Sequence, residues 1–294
     1  METNISLRPT LRQQILAFQR LEITEHHIYQ RLAQINRSPE NRSVLERIAQ
    51  DELRHYHDWK KYTGQEVKPD RFAIWKYTLI SRVLGFTFGV KLMERGEAKA
   101  QQNYGELRSE IPEIDAWIQD ENVHEQALIG MLDEEMLQYA GSIVLGLSDA
   151  LVELTGALAG LTLALQNTQL IALSGLITGI AAAMSMAASE YLSTRSEKTA
   201  KHPARAAVYT GIAYILTVTF LILPYLLFKN FYLDLGLALS TAVLIIAAFN
   251  YYISIAQDES FRARFLEMAG LSLGVAGISF IIGYLIRIFL GIEV

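Results

Sequence analysis

The sequence predicts an all-α chain in two parts: a charged four-helix bundle over residues 1–138, then a membrane domain of five spans over residues 139–294. Three observations lead there. Residues 1–138 hold 18 Lys+Arg and 22 Asp+Glu, whereas residues 139–294 hold 8 and 9. The first part repeats apolar residues at the three- and four-residue spacing of helices buried on one side. The second part is a series of apolar runs of about 20 residues or more, the length a helix needs to cross a bilayer.

Leu11–Ala33 reads as the first helix, with Ile15, Phe18, Leu21, Ile28 and Leu32 on one face. Ser38-Pro39 is a start signal, and the second helix runs to Tyr62 before Thr63-Gly64. Gly64–Asp70 is a turn-rich connection. The third helix reaches Leu107, in one piece or two. The fourth follows Ile111-Pro112 and continues to Leu137. Within the third, the apolar segment 71–90 is interrupted by Arg71, Lys76 and Arg82, which argue against a sixth span. It reads as a crossover within the bundle, or else as a helix on the membrane surface or in a dimer contact.

These helices carry a pattern of acids and histidines. Helix two has Glu52-x-x-His55 and helix four has Glu121-x-x-His124. Helix one offers Glu22, with Glu25 as its competitor, and helix three offers Glu94 and Glu97. Each Glu-x-x-His places both side chains on one helix face. Two such pairs, with single glutamates from two further helices, form the ligand set of a di-iron carboxylate bundle. His26, His27 and His57 have no comparable partner at helical spacing and read as ordinary packing histidines.

The five spans are Ser142–Leu165, Leu170–Leu192, Ala206–Phe228, Tyr232–Ala256 and Met268–Leu290. The first two carry Asp149, Glu153 and Glu190. A carboxylate at membrane depth costs about 3 kcal/mol, so it is rare and by default functional. Asp149 and Glu153, four apart, share a face, and Met186 shares one with Glu190. Carboxylate oxygen with the thioethers of Met184 and Met186 suits a transition metal better than Ca2+ or Mg2+. A plainer reading ties an acid to a Ser or Thr of a neighbouring helix, or lets it reach water near a helix end. It applies most to Glu190.

Positive residues mark cytoplasmic connections. The second carries Arg195, Lys198, Lys201 and Arg205, and the fourth carries Arg262 and Arg264. The first part is then cytoplasmic and the C terminus outside. The opening METNISLRPTLRQQ lacks the apolar core of a signal peptide, so the first part is not expected to be secreted. With no cysteine, disulfides, iron–sulfur clusters and cysteine zinc sites are excluded. A net charge of −5 without a basic stripe gives no reason to expect nucleic acid. Gly156-x-x-x-Gly160 and Gly270-x-x-x-Gly274 permit close helix approach, within one chain or between two.

The first part resembles a ferritin-like domain of the rubrerythrin type. The resemblance rests on Glu22 with Tyr29 seven later, Glu52-Leu53-Arg54-His55, Glu94-x-x-Glu97 and Glu121-Asn122-Val123-His124. It implies two bound irons: Glu52 and Glu121 bridging or flanking them, Glu22 and Glu94 terminal, Glu97 additional, and His55 and His124 as nitrogen ligands. The rubredoxin-like module is absent, since there is no cysteine to hold it.

The second part is similar to the vacuolar iron transporter family. The stretches concerned are Gly146-Leu147-Ser148-Asp149-Ala150-Leu151-Val152-Glu153-Leu154-Thr155-Gly156 and Met184-Ser185-Met186-Ala187-Ala188-Ser189-Glu190-Tyr191-Leu192-Ser193. That similarity implies efflux of Fe2+, and often Mn2+, by dimers in exchange for protons. The acidic segment that plant and yeast members insert after span two is missing here, and the first part stands in its place. Together the two resemble the membrane-bound ferritin type of bacterial iron exporter. The expectation is a homodimer in a prokaryotic inner membrane, its partners metal ions and lipid. The cofactor is bundle iron, and the substrate Fe2+ or Mn2+. The bundle captures, senses or oxidises iron. The alternative is a membrane-anchored ferroxidase or peroxidase whose spans serve only as an anchor.

Overall fold

Ser38 and Gly64 frame the second helix as their chemistry demands. The Ser38 hydroxyl accepts from the Asn41 amide, and Pro39 fills the first helical position. Gly64 closes the helix at φ 67, a left-handed turn that costs glycine nothing because it has no Cβ. The computed structural model describes residues 9–36, 38–101, 111, 114–130, 139–197, 201–257 and 259–290. No strand occurs among them. The chain divides into two compact units, Met1–Glu134 and Glu135–Val294.

The first unit contains α1 (Pro9–Ile35), α2 (Pro39–Thr63), α3 (Arg71–Leu84), α4 (Phe86–Gln101) and α5 (Ile114–Gly130). The third helix expected from the sequence is in two pieces. Gly85 breaks it at φ 98, ψ 150, a conformation that side chains with a Cβ rarely adopt. Gly89 then lets the first turn of α4 press on Ser81 of α3, where a Cβ would collide with the hydroxyl. On α3, Phe72, Trp75, Leu79 and Val83 form an outward apolar stripe. Segment 131–138, expected to extend the fourth helix, lies outside the described residues.

Two apolar clusters hold this unit together. One gathers Ile28, Leu32, Leu45, Ile48, Val90, Met93 and Leu128. The other gathers Ile15, Phe18, Trp59, Ile114 and Trp117. Along α1, α2 and α5 the same inward stripe is apolar at both ends and polar in the middle. Glu22, Glu52 with His55, and Glu121 with His124 occupy that middle. The polar centre is therefore shielded from water on two sides by hydrophobic packing.

The second unit contains α6 (Ala140–Leu165), α7 (Thr168–Ser196), α8 (Pro203–Leu227), α9 (Phe231–Ala256) and α10 (Phe261–Leu290). All five are long and apolar enough to cross a membrane. Their limits lie within a few residues of the predicted spans, except that α10 starts at Phe261, two turns before Met268. Asn167 and Asn230 cap α7 and α9, each accepting from two backbone amides. The central helix is α6, which packs on α7, α8, α9 and α10. Small residues allow this. A Cβ on Gly146 would strike the Thr210 carbonyl of α8, and one on Gly283 of α10 would strike the Gly160 carbonyl. Gly156 and Gly160 thus serve packing within the chain, whereas Gly270 and Gly274 face open space.

These contacts predict an asymmetry between two glycines. Gly146→Val should destabilise the solubilised protein by about 1–3 kcal/mol, because α6 must leave α8 to admit the side chain. Gly236→Ala, with nothing within 4 Å of its Cβ, should not lower stability. Thermal unfolding in detergent followed by circular dichroism compares the two.

Candidate functional site

In the first unit, Glu22, Glu52, His55 and Glu121 each offer one ligand atom, and these atoms lie within 4.8 Å of one another. Ligands on opposite sides of an ion, each about 2.1 Å from it, stand about 4.2 Å apart. The site is built from three helices, and Glu22 rather than Glu25 is the α1 residue in the group. Glu52 and Glu121 each divide their two oxygens between two imidazoles. His55 Nδ1 lies 3.5 Å from Glu52 Oε2 and 3.5 Å from Glu121 Oε1. His124 Nδ1 lies 3.2 Å from Glu52 Oε1 and 3.6 Å from Glu121 Oε2. Two adjacent positions therefore share two carboxylates. The side chains of Glu94 and Glu97 lie outside the described residues.

The donor set fits metal ions by a direct criterion. Glu22 Oε2, Glu52 Oε2, His55 Nδ1 and His124 Nδ1 are buried and lack hydrogen-bond partners. Buried polar atoms are normally bonded, so four unbonded ligand atoms converging on one region need another partner. The remaining atoms are held in place. Trp59 Nε1 donates to Glu22 Oε1 at 3.0 Å. Aspartate oxygens only accept, so His55 Nε2 donates to Asp120 at 3.2 Å and His124 Nε2 donates to Asp51 at 3.1 Å. These bonds leave each Nδ1 free to face inward, the support that metal-binding histidines commonly have. Arg54 ties both aspartates together, at 2.7 Å and 2.8 Å. Sequence reasoning missed Asp51, Arg54, Asp120 and Trp59. The signal was an Asp directly before each Glu-x-x-His. His26 plays the packing role expected of it, its Nδ1 2.5 Å from the Ala49 carbonyl.

The electrostatics follow from burial and mutual contact. Burial, with Glu52 and Glu121 nearby, pushes the Glu22 carboxyl up to about 8 against the pull of His55. Burial would raise Glu52 too, but His124 and His55 overcome it and hold that carboxyl at about 2. Burial opposes charge on the imidazoles. Glu121, Glu22 and Glu52 nevertheless raise His55 above the ordinary histidine range, and Glu121 and Glu52 bring His124 to about 10. Glu22, His55 and His124 thus hold protons at neutral pH, and a metal must displace them.

In the second unit the acids stand at two levels. Tyr214 of α8 donates to Glu153 Oε2 at 2.6 Å, with half-buried Asp149 one turn away on α6. Ser142 donates to Glu190 Oε1 at 2.6 Å, and Thr194 donates to the same oxygen at 3.4 Å. Ser142 is 11 residues from Glu153, about 16 Å along a helix. Glu190 thus has the Ser and Thr partners of the plainer reading, and the two levels do not form one cluster within a single chain. Met186 packs against the core, whereas Met184 is 69% exposed. Tyr214 and Ser142 carried no signal in the sequence, since a hydroxyl in a span looks like any other.

One consequence concerns protons. Groups whose affinity for H+ is raised compete with metal below their raised values and stop competing above them. The affinity of the first unit for Mn2+ should therefore climb from pH 6 to pH 8, by about tenfold per unit for each proton displaced. Tryptophan emission, reporting through Trp59 on Glu22, follows the titration. An affinity independent of pH over that range contradicts the assignment.

Residues 140–202 match the VIT family. No curated protein and no solved structure matches the chain. The matched segment spans α6, α7 and the connection to α8, and so includes Asp149, Glu153, Met184, Met186 and Glu190. The chain thus carries a VIT family domain within five helices able to cross a membrane, and the two together support a multi-pass VIT-type transporter of metal ions.

Proposed function

We propose that the protein exports Fe2+, with Mn2+ as a second substrate, from the cytoplasm in exchange for protons, and that its first unit binds iron before export. The observation that carries this reading is the pair Asp149 and Glu153 on one face of a membrane-length helix. Their placement inside the segment that matches a metal-transport family supports it. A carboxylate in an apolar setting is neutralised by a metal or by a proton, which gives exchange a physical basis. The basic second and fourth connections support a cytoplasmic first unit and an external C terminus, and the resemblance to bacterial iron exporters supports a place in a prokaryotic inner membrane. Glu153 and Met184 are exposed on the single chain, within helices long and apolar enough to cross a membrane. An acid left toward lipid is costly, which supports a second copy of the chain covering them.

In the first unit, Glu22, Glu52, His55, Glu94, Glu97, Glu121 and His124 would hold two iron ions. Bound there, iron supplies one-electron Fe2+/Fe3+ chemistry. The chain's own part is to orient two imidazoles through Asp51 and Asp120, release protons as metal enters, and exclude water through the flanking apolar clusters. This closed, metal-ready cluster favours a second reading, a membrane-anchored ferroxidase or peroxidase.

One pair of measurements separates the readings. In proteoliposomes, Asp149→Ala should abolish Fe2+ and Mn2+ flux while leaving metal binding by the first unit intact. Undiminished flux removes Asp149 from the route. Should the wild-type chain move no metal while consuming O2 or peroxide on Fe2+ addition, the enzyme reading replaces transport.

A further inference from the structure

Asp234, in the first turn of α9, is 0% exposed, and neither of its carboxyl oxygens has a hydrogen-bond partner. Acids early in a helix commonly serve its free amides. Here Asn230 already does so, accepting from the Tyr232 and Leu233 amides at 3.1 Å and 3.2 Å. The cap therefore does not explain Asp234. A carboxylate with neither water nor a counter-charge is strongly disfavoured, so the group must be neutralised by a proton or a cation.

The surroundings decide which. Helices α6, α8 and α10 pack against α9. From α8 the ionisable neighbour is Tyr225, close enough to feel the Asp234 charge. From α6 comes Thr162, whose hydroxyl lies 2.7 Å from the Tyr225 hydroxyl. Among the described residues no charged group acts on Asp234, Arg287 of α10 included, and Lys229 in the α8–α9 connection is exposed. A divalent ion seeks several ligands, and among the described residues no metal-ligating group includes Asp234. A lone buried carboxyl with no cation and no further ligand at hand is a proton site.

Its position gives it a role. Asp234 lies at the end of the second unit that bears the α6–α7 and α8–α9 connections, whereas Glu190 and Ser142 lie at the other. Tyr214, which holds Glu153, and Tyr225 are 11 residues apart, about three turns, and so share one face of α8. We propose that Asp234 is the carboxyl that takes up the proton exchanged for metal. This rests on the transport reading above. A proton from the water at that end adds to a carboxylate oxygen, giving a neutral carboxyl. It later leaves as H+ toward the opposite side, while metal crosses by the Asp149–Glu153 face.

The test uses the full chain in liposomes, with Mn2+ as probe and a trapped pH dye. Wild type should move Mn2+ one way and protons the other. In Asp234→Asn, which keeps the shape but cannot ionise, Mn2+ should still pass down its gradient. Proton counterflow, and stimulation by an opposing pH gradient, should fall about tenfold or more, the scale of a lost coupling. Asp234→Glu should restore counterflow. Infrared spectroscopy of the solubilised chain gives a readout independent of transport: the carbonyl stretch of a protonated carboxyl should weaken in Asp234→Asn. Wild-type counterflow in Asp234→Asn, or an unchanged infrared band, overturns the proposal. So does Mn2+ flux without proton movement in the wild type, which leaves metal transport standing but not its exchange for protons. Absence of any Mn2+ flux in the wild type instead overturns the transport reading, and this one with it.

Discussion

A carboxyl group withdrawn from water must find something to neutralise or bond it, and this requirement organises both units. In the first unit the answer is imidazole: Glu52, His55 and His124, all buried, and half-buried Glu121 are arranged so that each charge faces its opposite. In the second unit the answer is mostly hydroxyl. Tyr214 serves Glu153, and Ser142 serves Glu190. The two solutions suit different tasks. Imidazoles and carboxylates crowded together neutralise one another and converge their ligand atoms on one region. Hydroxyl-bonded acids remain available to a passing ion, because a hydroxyl can rotate away without leaving a buried charge behind.

The apolar frame matters as much as the polar groups. Along α1, α2 and α5 the same stripe that builds the core carries the acids and histidines near its middle. Any change that lets water in at Phe18, Trp59 or Leu128 would weaken the electrostatics that the centre depends on. Structure and chemistry are thus written on a single helix face, with position along the axis as the only distinction.

Much of this was legible in the residues. Ser38-Pro39 and Gly64 marked α2 at both ends because caps and left-handed turns have strict chemical preferences. The spans were legible because membrane length and apolarity admit few alternatives. The doubled Glu-x-x-His pointed to the cluster because spacing on a helix fixes direction. Register between helices was not legible. That Asp120 of α5 supports His55 of α2, and Asp51 supports His124, depends on how the two helices slide past each other. The choice of Glu22 over Glu25 was closed for the same reason, both being acids on one inward-turning helix. Where the third helix divides was not legible, because Gly85 and Gly89 both lie in it and only the backbone tells a turn from a close contact. Asp234 was not singled out at all, since nothing in the residues beside it marks a side chain that the fold encloses.

The glycine contacts on α6 bear on how the second unit can move. Near one end the backbone of α6 touches α8 at Gly146, and near the other it touches α10 at Gly160. Backbone pressed on backbone has no side chain to yield, so neither junction can slide without first separating. Rearrangement of this bundle is therefore confined to rocking: each junction is a fulcrum, and the helix that bears the acids is the beam between them.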